Sequence, residues 1–151
     1  MLRSSLAVLV AAFACCPARA DSLPPPVAAA VRDVKASCGG APATIGKGFL
    51  RRQDVTGDGL PDYVISYAGV SCPTGGHMKC GSGGCLTQVF ASTPGGYVEA
   101  LNQNVQKIAF RTRNGKPAVV LDLNGSECGR FGYQVCKSVR YWNGTGFVAQ
   151  N

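Results

Sequence analysis

Apolar residues recur with two different periods along the chain, and the period changes near residue 46. Before that point Val27, Ala30, Val31, Val34 and Cys38 recur at helical spacing, with Arg32, Asp33 and Lys35 on the other side, which predicts one amphipathic helix. Pro24, Pro25 and Pro26 suit its first turn, where a missing N–H forfeits no hydrogen bond, and Gly39-Gly40 is expected to end it. Beyond residue 46, short runs rich in β-branched and aromatic residues are separated by Gly, Asn and Asp. They predict strands over 47–53, 62–69, 85–92, 96–101, 105–113, 117–123 and 136–142, with a short last one near Phe147. Asn114-Gly115 and Asn143-Gly144 both read as tight hairpin turns, whose central residues need positive φ. The expected fold is mainly β: an antiparallel meander curling into a barrel-like or sandwich sheet, with one N-terminal α-helix packed on it.

Composition adds a compartment. Residues 1–20 read as a secretory signal, with Arg3 in the positive region, Leu6 to Ala14 as a short apolar core, and Ala18-Arg19-Ala20 before the expected cleavage at Asp21. That core is about half the roughly 20 residues a membrane-spanning helix needs. No later stretch comes closer, so no transmembrane segment is expected. The alternative of a lipid anchor on Cys15 lacks the bulky aliphatic residue usual at the start of its box, since Ala12, Phe13 and Ala14 precede it. Of 15 Lys and Arg against 8 Asp and Glu, the leader takes Arg3 and Arg19, which leaves a net charge of +5 over 21–151. A single domain of this size excludes a multidomain enzyme and a polytopic membrane protein.

Six cysteines remain past the leader: Cys38, Cys72, Cys80, Cys85, Cys128 and Cys136. An even number in an exported chain predicts three disulfides, although six cysteines allow fifteen pairings. Cys128 with Cys136 is favoured by proximity, and a bridge from Cys38 would tack the helix onto whatever it covers. A structural zinc is the alternative, but the chain has no CxxC or CxxCH and only His77 to complete a mixed site.

One segment carries defined chemistry. Asp54-Val55-Thr56-Gly57-Asp58-Gly59-Leu60-Pro61-Asp62 reads D-x-T-x-D-G-x-x-D. Calcium takes hard oxygen ligands, and a chain wrapping round it supplies them at alternate positions. Here those are the Asp54, Thr56, Asp58 and Asp62 side chains and the Leu60 carbonyl, with Gly59 at the sharp turn. Three carboxylates so close repel one another without a cation. The plain alternative is a solvated β-turn that holds no metal.

This nonapeptide resembles the calcium loop of the FG-GAP repeats of integrin α-subunit propellers and of VCBS-type bacterial surface repeats, where it joins two strands. The runs from Phe49 to Gln53 and Tyr63 to Tyr67 fit such flanking strands. The first six positions are also similar to dockerin and EF-hand loops, but Ile65 stands where an EF-hand has its bidentate Glu. The resemblance implies a calcium loop on a β-hairpin; a propeller needs several blades, and one clear copy is present. A fainter echo at Asp122-Leu123-Asn124-Gly125-Ser126-Glu127 has Glu127 where Gly is wanted, and reads equally as an Asx-turn.

Other constellations carry less. His77 is the one histidine available to serve a nucleophile as base, and its neighbours are cysteines expected to be oxidised. Glu99, Glu127 and Asp122 are candidate acids for glycoside hydrolysis with nothing to align them. Cys80-Gly81-Ser82-Gly83-Gly84-Cys85 lacks the ending of a phosphate loop and reads as a disulfide-clamped turn. Lys107, Arg111 and Arg113 fall on the strand face opposite Ile108 and Phe110, with Lys116 just past the turn. That face suits an anionic surface, the plain alternative being a solvated face that blocks sheet-to-sheet aggregation. Asn124-Gly125-Ser126 and Asn143-Gly144-Thr145 are formal glycosylation sequons that serve equally as turns.

The functional expectation is a periplasmic or secreted, non-enzymatic, calcium-stabilised β-domain. Its partner would be an envelope protein or an anionic surface component, and not nucleic acid. Two alternatives remain: a small secreted inhibitor of a lysozyme or protease, and a small envelope hydrolase. The positive charge opposes pairing with the common cationic lysozymes.

Overall fold

The computed structural model describes residues 22–36, 38, 41–73 and 79–150. The expectations for the leader, Cys15, Gly39-Gly40 and His77 lie outside these residues. Helix α1 (Pro25–Ala36) is followed by β1 (Thr44–Ile45), β2 (Leu50–Gln53), β3 (Asp62–Ser66), β4 (Val70–Ser71), β5 (Cys80–Gly81) and β6 (Gly84–Thr93). Then come β7 (Gly96–Val105), β8 (Lys107–Arg113), β9 (Lys116–Leu123), β10 (Cys136–Trp142) and β11 (Phe147–Ala149). Short 3-10 turns at Tyr67–Gly69 and Gly125–Cys128 complete the path. The chain is mainly β, with antiparallel sheets and one α-helix, as the alternating pattern predicts. Among the described residues no helix is long and apolar enough to cross a membrane.

The sheets stack under the helix in three layers. β2, β3, β5, β6 and β7 form the first sheet, β8 to β11 the second in the order β11-β10-β9-β8, and β1 pairs with β4 in a small ladder. Alternation along β3 sends Tyr63 and Ile65 to one face, where they join Phe90, Tyr67 and Phe49 beneath Val27 and Val34 of α1. Val64, Val89 and Ala91 point the other way and meet Val119, Leu121, Leu123 and Phe147 of the second sheet. A strand covered on both faces has no solvent side, which is why four consecutive residues of β3 are buried.

The architecture is therefore a sandwich, and the expected single meander divides in two. The chain leaves the first sheet at Gln106, whose N–H donates to the Asp122 carbonyl at 2.8 Å. β7 runs past the predicted 101 to Val105, and a bulge interrupts its pairing with β6. Val89 pairs with Leu101 and Phe90 with Glu99, so the extra residue Ala100 turns inward beside Leu101. The first long strand starts at Leu50 and not 47, since Lys47-Gly48 turns with Gly48 at φ 88°. The second stops at Ser66, where the chain tightens into a 3-10 turn.

The two Asn-Gly pairs work differently. Asn114 and Gly115 have φ of 51° and 73°, the left-handed pair a two-residue hairpin demands. Asn143 instead begins a four-residue connection between the paired Trp142 and Phe147, and its Oδ1 accepts from Thr145 N–H at 3.0 Å and Gly146 N–H at 2.8 Å. Its side chain and its own N–H, which donates to the Gly146 carbonyl at 3.1 Å, close that turn.

The six cysteines pair as Cys38–Cys72, Cys80–Cys85 and Cys128–Cys136. The first ties α1 to the segment after β4, the second clasps the β5–β6 hairpin, and the third closes the 3-10 turn onto β10. The last two share one end of the sandwich, where Asn124 Nδ2 and Gln106 Nε2 both donate to the Ser82 carbonyl. The Asp54–Pro61 loop and the Asn114-Gly115 turn occupy the other end, with Gly57 against Pro117.

Candidate functional site

The loop between β2 and β3 is held from both sides. Pairing of Gln53 with Asp62 fixes its base, and Gly57 and Gly59 supply the positive φ of 77° and 82° that its path requires. Asp54 reaches across the turn: Oδ1 accepts from Gly57 N–H at 2.6 Å and Oδ2 from Gly59 N–H at 2.9 Å. Asp58 Oδ1 accepts from Leu60 N–H at 2.8 Å. Tyr97 braces the far side by donating its hydroxyl to the Pro61 carbonyl at 2.9 Å. Burial, and next the neighbouring Tyr63, push the Tyr97 phenol above the usual tyrosine range.

Asp62 lies deepest, with no solvent exposure. Its Oδ2 accepts from Val55 N–H at 2.7 Å, Thr56 N–H at 3.0 Å and the Thr56 hydroxyl at 3.2 Å. Its Oδ1 faces Ser92, whose N–H donates at 2.8 Å and whose hydroxyl oxygen is 3.0 Å away. The same Ser92 oxygen lies 3.1 Å from Asp58 Oδ2. A serine hydroxyl has one hydrogen to donate, so one of these two carboxylate contacts is made without it. Two acidic side chains thus converge on a single donor.

Both carboxylates also hold backbone donors, Leu60 N–H on Asp58 and the Val55, Thr56 and Ser92 N–H groups on Asp62. Of the five expected ligands, Asp58 and Asp62 approach a common point, Asp54 and the Thr56 hydroxyl are engaged within the loop, and Leu60 is exposed. Among the described residues, no three Asp, Glu, His or Cys side chains gather as a metal cluster. The two expected carboxylate ligands that share a contact are Asp58 and Asp62, through the Ser92 hydroxyl between them. Ser92 escapes a reading of the sequence because it comes from β6, 34 residues beyond Asp58. The one local signal is a serine closing an apolar run, Val89-Phe90-Ala91.

The residues of the expected basic face gather on the second sheet. Lys107, Ala109, Arg111 and Arg113 line a shallow groove of about 490 Å³ on the outer side of the second sheet, together with Val120 and Lys137. The register sets Asp122 between Lys107 and Lys137, and the Lys137 ammonium is ion-paired with it. Lys116 stands opposite Arg113 at the hairpin end. Arg111 and Thr112 also line a second groove, of about 460 Å³, that reaches Asp54 and Gly57. Lys137 is missing from the sequence-based set because cross-strand pairing, not local spacing, brings it there.

The chain matches no family model, curated protein or solved structure.

The candidate acids for hydrolysis are dispersed. Glu99 pairs opposite Phe90 on the helix side of the first sheet, where it accepts from Gln88 Nε2 at 2.7 Å and Asn102 Nδ2 at 3.0 Å. Asp122 sits on the outer face of the second sheet, and Glu127 in the 3-10 turn. The stretch at 122–127 is an Asx-turn: Asn124 Oδ1 accepts from Ser126 N–H at 3.1 Å and from its hydroxyl at 2.7 Å.

Proposed function

We propose that this chain is an exported, non-enzymatic β-domain of the cell envelope. In this reading the Asp54–Asp62 loop takes a calcium ion that locks one end of the sandwich, and the basic outer face engages an anionic envelope component. The observation that carries it is the Ser92 hydroxyl placed between Asp58 Oδ2 and Asp62 Oδ1 at 3.1 and 3.0 Å. The two carboxylates meet at that hydroxyl, each with backbone donors of its own, and a divalent cation would offset their mutual repulsion, calcium tolerating such an irregular oxygen set. The likeness of residues 54–62 to FG-GAP and VCBS-type calcium loops supports the same ion. The three disulfides suit an oxidising compartment.

Calcium would act here on stability and not on chemistry, because a ligand that binds only the folded chain raises its melting temperature. The test is a thermal melt in millimolar calcium and in chelator. Calcium is expected to raise the midpoint for the wild-type chain and to have no effect on Asp58→Ala. Superimposable wild-type melts in the two conditions would remove the calcium half of the reading.

A further inference from the structure

The two most exposed large apolar side chains of the described residues, Phe131 and Tyr133, stand together at the disulfide end. Val135, next but one along the loop, is 49% exposed, and Phe131 and Tyr133 are 70% and 81% exposed. Their rings lie nearly parallel, at 6° and 5.9 Å between centroids, so they form one apolar ridge. A stacked pair of exposed rings is an apolar feature that a partner can cover.

The loop that carries them is rigid. The Cys128–Cys136 bond closes it, and Asn124 caps its 3-10 turn. The Gly125 carbonyl accepts from Arg130 N–H at 2.8 Å, and the Phe131 carbonyl from Gln134 N–H at 2.9 Å. A Cβ on Gly125 would fall 2.0 Å from the Phe131 carbonyl oxygen, so the loop wraps round a glycine it cannot exchange. The ridge is thus presented in a fixed shape, and little ordering is required when it meets a partner.

Charge distinguishes the partner. The loop leaves β9 after Leu123 and returns at Cys136, so Lys107 and Lys137 mark the start of the basic face at this same end. That face carries Lys107, Arg111, Arg113, Lys116 and Lys137 against the single acid Asp122, while Arg130 and Glu127 offset one another within the loop. An exposed apolar ridge at the end where a cationic face begins has the chemistry of a segment that seats its rings at the headgroup boundary of an anionic bilayer.

We infer that the Asn124–Cys136 loop docks this domain on an anionic lipid bilayer, with Phe131, Tyr133 and Val135 entering the interface and the Lys107–Lys137 face lying against the headgroups. The inference rests on the basic-face half of the proposed function and is independent of calcium, which belongs to the opposite end.

The experiment is vesicle co-sedimentation of the mature chain, with pure phosphatidylcholine vesicles and with vesicles in which about a third of the lipid is phosphatidylglycerol. Soluble dextran sulfate serves as a lipid-free polyanion. The wild-type chain should bind the anionic vesicles and not the neutral ones. Phe131→Ser with Tyr133→Ser should weaken vesicle binding by about tenfold or more, yet leave dextran sulfate binding and the melting temperature unchanged. Lys107→Ser with Arg111→Ser should weaken both, by about fivefold per cation at the vesicles. Two results overturn the inference and leave the anionic face standing: dextran sulfate bound without vesicle binding, and vesicle binding that ignores the aromatic substitutions. Failure to bind dextran sulfate removes the anionic face, and the inference with it.

Discussion

Asp62 brings a negative charge into a place without solvent, and five donors from three residues surround it. Asn in its place has the same shape but turns an NH2 toward donors at one of the two oxygens, and it loses the charge that strengthens the rest. Asp62→Asn is therefore expected to lower stability by about 2–3 kcal/mol, read by denaturant unfolding in chelator, so that the loss owes nothing to calcium. The motif made this residue conspicuous, since D-x-T-x-D-G-x-x-D names it as an oxygen donor. What the spacing leaves out is the direction in which Asp62 points. Ser92 is set by register across the sheet, and a pattern confined to nine residues has no access to it. Asp54, by contrast, bonds only within its own turn, and local sequence was enough to mark it.

Between α1 and the first sheet the packing has a titratable centre. Tyr67 is buried, its ring edge-on to Phe49, with the Lys79 ammonium 4.8 Å from its centroid and paired to Asp33. Burial raises the Tyr67 phenol above its ordinary 10.0, the nearby Lys79 partly opposing it. Lys79 is raised above 10.5, first by its hydrogen bond to Asp33. Both groups hold protons more tightly folded than unfolded. Their contribution is complete below the unfolded values and is lost as pH rises through the folded ones. Melting temperature should thus begin to fall near pH 10, and Tyr67→Phe should show a shallower alkaline decline. At this scale the sequence was most informative where one period ran uninterrupted, as in α1 and β10. It was least so where two layers bury a strand from both sides, or where a bulge turns Ala100 and Leu101 inward together. Asn143 shows the same limit: one dipeptide serves two turn geometries, told apart by which residues pair across the turn, here Trp142 with Phe147.

Across the whole molecule the covalent links complement the packing. The Cys38–Cys72 bond spans 34 residues and holds the helix layer to the sheet. Cys38→Ala with Cys72→Ala should cost roughly 3–4 kcal/mol, measured by denaturant unfolding under oxidising conditions that keep the other two bonds. The number of bonds followed from composition and compartment; the pairing needed the fold, because fifteen arrangements are open to six cysteines. The two ends of the sandwich also differ in what fastens them. Sulfur secures the corner where the hairpin at Ser82 meets Asn124, whereas oxygen-to-amide bonds secure the corner that carries Asp54. A thiol reagent therefore frees amides of the first corner to exchange with deuterium while the second stays protected, so each end of the protein answers to a different stimulus.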